Sequence, residues 1–149
     1  MKVTGILLLL IVTMMSCGSD NSKNENSDGR NLVLGLLQVN LSDKGLGPIK
    51  ELVLSDINLD MAKEGKIIFT AKCRACHRVG KRFIGPDIVG LLDRRSPEWI
   101  MNMILNPEQM IQENEQARKL LLEYSTPMSN QSITENQARK MLEYFRTIN

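Results

Sequence analysis

Two cysteines three positions apart, with a histidine directly after the second, gather most of the cysteine and histidine of this chain into five residues. The stretch AKCRACHRVG (residues 71–80) holds Cys73, Cys76 and His77, whereas the whole sequence contains three cysteines and one histidine. Thiols and an imidazole can act as metal ligands, redox groups or nucleophiles. The choice among these chemistries depends on what else the chain supplies and on the compartment that it enters.

Three common uses of a Cys-x-x-Cys pair fit this chain poorly. A structural zinc site takes four Cys or His ligands, and this chain offers one close pair and one histidine. A thioredoxin-like redox pair lies between a strand and a helix of an α/β fold, whereas the sequence around this pair has helical patterns. A structural disulfide between positions three apart is strained and closes almost no loop.

The remaining chemistry uses all three residues together. In a Cys-x-x-Cys-His motif, the two thiols form thioethers with a haem and the imidazole ligates its iron from the proximal side. Covalent attachment also retains the haem in a domain too small to enclose it fully. We therefore expect one haem c, bound through Cys73 and Cys76, with His77 as the proximal ligand.

The first residues of the chain (1–17) predict export. One lysine is followed by an apolar run too short for a comfortable membrane span, and then by Ser16 and Cys17. A small residue before cysteine is similar to a bacterial lipoprotein signal, which implies cleavage before Cys17 and lipidation of that residue. Met14 and Met15 depart from the commonest form of this signal, and a plain secretory signal or an uncleaved anchor is the alternative. In every version the rest of the chain crosses a membrane, into an oxidising compartment.

Composition divides the remainder into three parts. Residues 18–30 are rich in Ser, Asn, Asp and Gly and predict a flexible tether. Residues 31–57 contain short apolar runs broken by glycines and a proline, which predict an irregular extension. Residues 58–149 have helical patterns and no sheet pattern, so we expect an all-α domain there. A domain of roughly 90 residues is small for a self-sufficient core, and a bound apolar cofactor would help it fold.

Capping signals predict where the helices of this domain begin. Asp60 is the expected cap of the first helix, and Ser96 followed by Pro97 marks a later start. Thr134 with Gln137 predicts a capping box for the last helix. The predicted helices span residues 61–71, residues 97–105, a stretch that begins at Pro107, residues 114–124 and residues 135–148.

These features resemble those of class I cytochromes c, the small electron carriers with one haem. In that family a glycine and an aromatic residue of the first helix meet the last helix. Gly65 and Phe69 match them, with Tyr144 or Phe145 as the partner. IGPDIVG (residues 84–90) is similar to the Gly-Pro-x-Leu loop that follows the haem motif in the family. The resemblance covers the helical domain and implies the class I fold, with four to five helices around the haem.

The same resemblance implies roles for two residues beyond the motif. The carbonyl of Pro86 would accept a hydrogen bond from the His77 imidazole. Trp99, the only tryptophan, would donate a hydrogen bond to a haem propionate, and the equally weighted alternative is a buried anchor of its own helix.

The sixth iron ligand cannot be a second histidine, because His77 is the only one in this chain. The family uses a methionine from the loop before the last helix, and Met128 lies in such a loop, 51 residues after His77. Ordinary packing is the alternative for Met128, with Met101 or Met103 as the next candidate ligands. We expect Met61 and Met141 to lie on helix faces in the core.

Basic side chains concentrate around the haem motif. Residues 61–95 carry nine basic and three acidic groups, although the net charge of the whole chain is only +2. This basic belt would steer docking toward an acidic partner, or is an ordinary solvated face. Its members are Lys63, Lys66, Lys72, Arg74, Arg78, Lys81, Arg82, Arg94 and Arg95.

The predicted function is that of an electron carrier and not of an enzyme. The family implies a quinol-oxidising complex as donor and a terminal oxidase or reductase as acceptor, a nitrogen-oxide reductase among them. We expect a monomer that binds no nucleic acid and is held in the periplasm by a lipid anchor. The alternatives are a gas-binding or peroxidatic haem protein with an open distal site, a haem module of a larger membrane complex docked through residues 31–57, and a thiol-disulfide protein without haem.

Overall fold

The computed structural model describes residues 39–149, and every regular element in that range is an α-helix. The predicted signal peptide, the tether and the first part of the extension lie outside the described residues. The all-α prediction is confirmed. No helix between residues 39 and 149 combines the length and the apolar character needed to cross a membrane. The helices are α1 (Leu59–Lys72), α2 (Leu91–Arg94), α3 (Pro97–Leu105), α4 (Pro107–Glu113), α5 (Glu115–Tyr124) and α6 (Glu135–Thr147).

Five of these six helices were expected from sequence, and their caps explain their starts. The Ser96 hydroxyl accepts the Trp99 N–H at 3.1 Å, with Pro97 at the first position of α3. Thr134 and Gln137 form both halves of the predicted capping box at the start of α6. The sequence pattern predicts no helix at α2, because a single four-residue turn leaves no periodicity to detect.

The prediction that Asp60 caps α1 is wrong. The cap is Asn58, whose side-chain oxygen accepts the N–H groups of Asp60 at 3.1 Å and of Met61 at 3.0 Å. Asp60 lies in the first turn, where its carboxylate binds Lys63 at 2.9 Å and is favoured by the positive end of the helix. The helix therefore begins two residues earlier than the prediction.

The crossing of α1 and α6 depends on a glycine. A β-carbon at Gly65 would overlap the backbone carbonyl of Lys140 on α6, so a larger residue would force the two helices apart. An ion pair between Glu64 and the Lys140 side chain, at 2.5 Å, lies beside the crossing. The family's expected contact between the first and last helices is thus present.

Aromatic rings extend this contact. Phe69 of α1 packs on both expected partners, with its ring centroid 5.7 Å from that of Tyr144 and 5.8 Å from that of Phe145. Such tilted and edge-on pairs are a preferred arrangement of aromatic rings. The expectation for Met61 is wrong, because Ala62 occupies the buried position of that turn and Met61 remains partly exposed.

Residues 39–58, named the strap here, contain no regular secondary structure apart from turns, and pack on the helices through polar groups as well as apolar side chains. The amide of Asn102 in α3 is fully buried and donates to the carbonyls of Lys44 at 2.9 Å and Ile49 at 2.8 Å. It also accepts the Ile49 N–H at 3.0 Å. Nearby, buried Glu98 accepts the Leu52 N–H at 3.1 Å. The compact unit that contains the helices also includes the strap.

A buried carboxylate joins the end of the strap to α6. Glu143 has no exposed surface; it accepts the Asn58 N–H at 3.0 Å and pairs with Arg139 and with Arg146, the latter at 2.8 Å. Burial alone would raise the pKa of Glu143, but hydrogen bonds from the two arginines and the Asn58 amide outweigh it and lower the pKa. Arg146 also donates to the Ser55 carbonyl at 2.6 Å.

Candidate functional site

The Cys-x-x-Cys-His motif begins where α1 ends. The Cys73 N–H donates the last hydrogen bond of α1 to the Phe69 carbonyl at 2.9 Å. The His77 N–H donates to the Cys73 carbonyl at 2.9 Å. Burial, reinforced by the neighbouring Cys76, raises the pKa of the Cys73 thiol to about 11. A thiol of that pKa is a poor redox nucleophile at neutral pH, which argues against a thioredoxin-like role. Within residues 39–149, no three His, Cys, Asp or Glu side chains cluster as metal ligands.

The His77 ring is held by the loop that follows it. Its Nδ1 lies 3.0 Å from the carbonyl oxygen of Pro86, which can only accept a hydrogen bond, so Nδ1 carries the proton. A β-carbon at Gly85 would lie 2.5 Å from the ring Cε1, so only glycine allows this approach. Burial lowers the pKa of His77, and the bond to Pro86 offsets part of that effect. The ring is therefore neutral at pH 7, with the Nε2 lone pair free to bind a metal.

An apolar cavity lies beside the motif. It contains about 1260 Å³ of space free of protein atoms, counting its solvent-open mouth. Small-molecule and cofactor sites are typically concave and mostly apolar, and this cavity has both features. All six residues predicted to hold haem line this cavity: Cys73, Cys76, His77, Pro86, Trp99 and Met128. Cys17, the predicted lipid site, lies outside the described residues.

The methionines differ in their relation to this cavity. Met101 is 2% exposed, belongs to the core and does not line the cavity. Met103 and Met141 line it from within α3 and α6, and Met141 is buried in the core as expected. Met128 lines it from a loop, after a left-handed residue, Ser125 (φ 52°), has turned the chain away from α5. Met101, one of the predicted candidates for the distal ligand, therefore does not reach the cavity.

The structure favours the buried-anchor alternative for Trp99. Its indole is 3% exposed, and the indole N–H donates to Asn114 at 3.2 Å. Asn114 in turn donates to the Asp43 carboxylate of the strap at 2.9 Å. Trp99 therefore contributes a ring face to the cavity wall but has no free N–H for a haem propionate.

Arg95 provides a donor that sequence reasoning placed only in the basic belt. It lines the cavity, its guanidinium carbon lies 5.0 Å from the centre of the Trp99 ring, and its Nε is buried with no partner among residues 39–149. Burial and the adjacent Arg94 lower its pKa. Nothing in the sequence separated Arg95 from the other eight cations of the belt, because burial of one atom leaves no sequence signal.

Haem fits these residues. The apolar walls match the macrocycle, the two thiols and the free Nε2 of His77 match its attachment and its iron, and the unpartnered Nε–H of Arg95 matches a haem carboxylate. Each requirement is met by an observed feature of the cavity.

Comparisons with known proteins agree with this site. The family profile described as "Cytochrome c" matches residues 62–149. Cytochrome c from Rhodothermus marinus is 42% identical with a TM-score of 0.67, covering 68% of this chain and 89% of that chain. The engineered cytochrome c Rma TDE from the same organism is 41% identical with a TM-score of 0.66, covering 68% and 90%.

Rma TDE bound to a carbene intermediate is 42% identical, with a TM-score of 0.64 and coverage of 68% and 89%. A search of curated proteins returned no match. The family match covers more than half of the chain, and the structural matches carry the same all-α fold. The chain therefore belongs to the cytochrome c family, as a class I c-type cytochrome, a haem-based electron carrier.

Proposed function

We propose that this cytochrome holds one haem c through thioethers to Cys73 and Cys76, with His77 and Met128 as axial ligands, and passes single electrons between respiratory proteins. One observation supports this proposal above the others. A single cavity brings the cysteine pair and a neutral imidazole together with a loop methionine 51 residues further along the chain.

Different residues around the cavity would contact different parts of the cofactor. Hydrogen bonding of Nδ1 to Pro86 fixes the orientation of the imidazole and raises the basicity of Nε2. The apolar walls exclude water, and Arg95 offers its buried N–H to a carboxylate. Haem, when bound, supplies a one-electron couple, and a methionine ligand raises its potential.

The test is a visible spectrum of protein matured in a haem-attaching periplasm. Acid-acetone extraction should leave the pigment on the protein, and the ferric form should show the sulfur-to-iron charge-transfer band. Met128→Ala should abolish that band without releasing the haem. The matched control is Met103→Ala, which removes the other flexible candidate on the cavity wall and should leave the band intact. A band that survives in Met128→Ala would reassign the ligand.

A haem protein with an open distal site is the second candidate. Pro127 and Ser129, on both sides of Met128, are exposed, so the loop that carries the proposed ligand is open to solvent. A related engineered protein is described with a carbene intermediate bound. Rapid binding of carbon monoxide by the reduced protein would favour this candidate, whereas slow or absent binding would favour a firm Met128 bond.

Charge supports a proposal about partners. Much of the basic belt is exposed around the motif, and we propose that it guides docking to acidic partners: a quinol-oxidising donor and a terminal oxidase or reductase, with a nitrogen-oxide reductase as one candidate acceptor. Electron-transfer rates with the true partner should then fall steeply with ionic strength. Rates independent of salt would contradict charge-guided docking.

Export and lipid tethering complete the proposal. Cytochromes c are typically exported to the periplasm, and the sequence signal supports an anchor at Cys17. Cys17→Ala should release the mature cytochrome from membranes without changing its visible spectrum. A variant that stays membrane-bound would favour an uncleaved anchor or a partner in the membrane.

A further inference from the structure

One arginine of the basic belt joins two parts of the molecule that the sequence keeps far apart. Arg82 lies in the loop after the haem motif, and its Nη1 binds the Glu123 carboxylate at 2.7 Å. Its Nη2 donates to the backbone carbonyl of Glu123 at 2.9 Å. The guanidinium carbon also lies 4.0 Å from the centre of the Tyr124 ring. These three contacts are named the Arg82 bridge here.

The Arg82 bridge caps the end of α5. Glu123 and Tyr124 are its last two residues, and the last four carbonyls of a helix lack partners within the helix. Arg82 satisfies one of these carbonyls and places a cation at the negative end of the helix dipole. A planar guanidinium can bind and stack in this way, whereas an ammonium group cannot.

On its other side the bridge is fixed to the motif. The Gly85 N–H donates to the Cys76 carbonyl at 2.9 Å, and the Phe83 N–H donates to the Gly85 carbonyl at 3.1 Å. The loop that carries Arg82 is thus hydrogen-bonded to the turn that carries His77. The Arg82 bridge connects this proximal loop to the point where the chain leaves α5 for Met128.

The segment that carries Met128 has few restraints of its own. After Ser125, two exposed residues, Thr126 and Pro127, lead to Met128, and the next hydrogen bond to another element is a long one, from Asn130 to Glu108 at 3.4 Å. Segments with few buried contacts open at low free-energy cost. The position of Met128 therefore depends on where the end of α5 is held.

We infer that Arg82 is a positioning residue for Met128. By holding the end of α5, where the Met128 loop begins, against the proximal loop, Arg82 strengthens the axial bond of this methionine. This inference rests on the proposed ligation by Met128. Arg82 touches no ligand atom, and its effect passes through Glu123 and Tyr124.

The experiment is a titration of the ferric holoprotein with imidazole, which displaces a methionine ligand and abolishes the charge-transfer band. Because the ion pair is about half exposed, with 55% and 51% of the two side chains accessible, the expected effect is moderate. Arg82→Gln should bind imidazole roughly fivefold more tightly than the parent protein. Arg82→Lys keeps the charge without the planar contacts and should fall between the two.

The matched control is Lys119→Gln, which also removes one cation and one ion pair from α5, the pair of Lys119 with Glu115 at 2.7 Å. That pair lies within the helix and does not reach the proximal loop, so imidazole affinity should not change. Equal affinities of the Arg82 and Lys119 variants, with the charge-transfer band present in both, would overturn the inference and leave Met128 ligation intact.

The same comparison in the Met128→Ala variant distinguishes positioning of Met128 from control of access to the cavity. In Met128→Ala there is no sulfur bond to displace, so addition of Arg82→Gln should leave the imidazole affinity unchanged. A fivefold difference that persists in this background would mean that Arg82 controls entry to the cavity, and would overturn the inference. Absence of the band from the parent protein would overturn both Met128 ligation and its positioning by Arg82.

Discussion

Helix α3 lies between two regions that are completed in different ways. Its apolar side contributes Ile100, Met103 and Ile104 to the cavity wall, and of these only Met103 is partly exposed. Its other side presents Glu98 and Asn102 to the strap, whose backbone groups satisfy both. One side of the same helix therefore borders the cavity that the proposed haem would occupy, whereas the polar groups on the other side are satisfied by the protein itself.

The largest effect should come from leaving the cavity side unfilled. Cys73→Ser combined with Cys76→Ser removes both attachment points, so no pigment should survive acid-acetone extraction. A small domain buries little apolar surface, so losing the cofactor should lower the free energy of unfolding by about 5 kcal/mol or more. Thermal unfolding followed by circular dichroism would detect this loss. An unchanged melting temperature would show that the cavity side is stable without its occupant.

The next effect should come from the strap side. Asn102→Ala removes three hydrogen bonds and leaves strap carbonyls unpartnered in a buried site. The free energy of unfolding, measured with guanidinium, should therefore fall by about 3 kcal/mol. The visible spectrum should not change. Met103→Leu on the opposite side conserves volume and should cost less than about 1.5 kcal/mol. Equal losses for the two variants would contradict the contrast between the two sides.

Glu143→Gln should lower stability by about 2 kcal/mol at neutral pH, because it leaves two arginines without their buried carboxylate. The pKa of Glu143 is lowered by folding, so its contribution is present above the unfolded pKa, near 4.5, and is lost as the pH falls through the folded value. The parent protein should therefore lose stability on acidification below that pH. Urea unfolding at several pH values should show a flatter profile for Glu143→Gln, and parallel profiles would contradict this assignment.

The smallest effect on stability should come from the partly exposed ion pair between Lys44 of the strap and Glu98. The Lys44 ammonium is 3.2 Å from the Glu98 carboxylate, and 46% of its side chain is exposed. Glu98 keeps the Leu52 N–H when the lysine is removed. Lys44→Gln should therefore cost only about 0.5 kcal/mol, less at high salt. A loss as large as that of Asn102→Ala would mean that the ion pair, and not the backbone contacts, holds the strap.

The contact between His77 and Pro86 could be predicted because its determinants are local in the sequence. Cys73, Cys76 and His77 occupy one turn, and Pro86 follows nine residues after the imidazole that it binds. The capping signals of α3 and α6 were also local and are confirmed. Met128 lines the same cavity, but its bond to iron remains a prediction.

The strap could not be predicted, because its partners are distant and polar. Asn102 binds Ile49 across 53 positions, and an asparagine in a helix has no pattern that distinguishes a buried partner from solvent. The role of Asp60 was missed for a related reason, since Asn58 and Asp60 are both acceptable caps and the choice depends on the preceding backbone. The sequence left the role of Trp99 open between two alternatives, because it does not show that Asn114 binds the indole N–H.

The hydrogen bonds between the strap and α3 determine where this cytochrome can be shortened. A fragment that starts at residue 58, where the helical pattern begins, would retain Glu98 and Asn102 but lack the amides and carbonyls that bind them. It would carry a carboxylate and an amide on a newly bared helix face, beside uncovered apolar core. A shortened version for electrochemistry or crystallisation should therefore keep the strap, although the family match itself begins at residue 62.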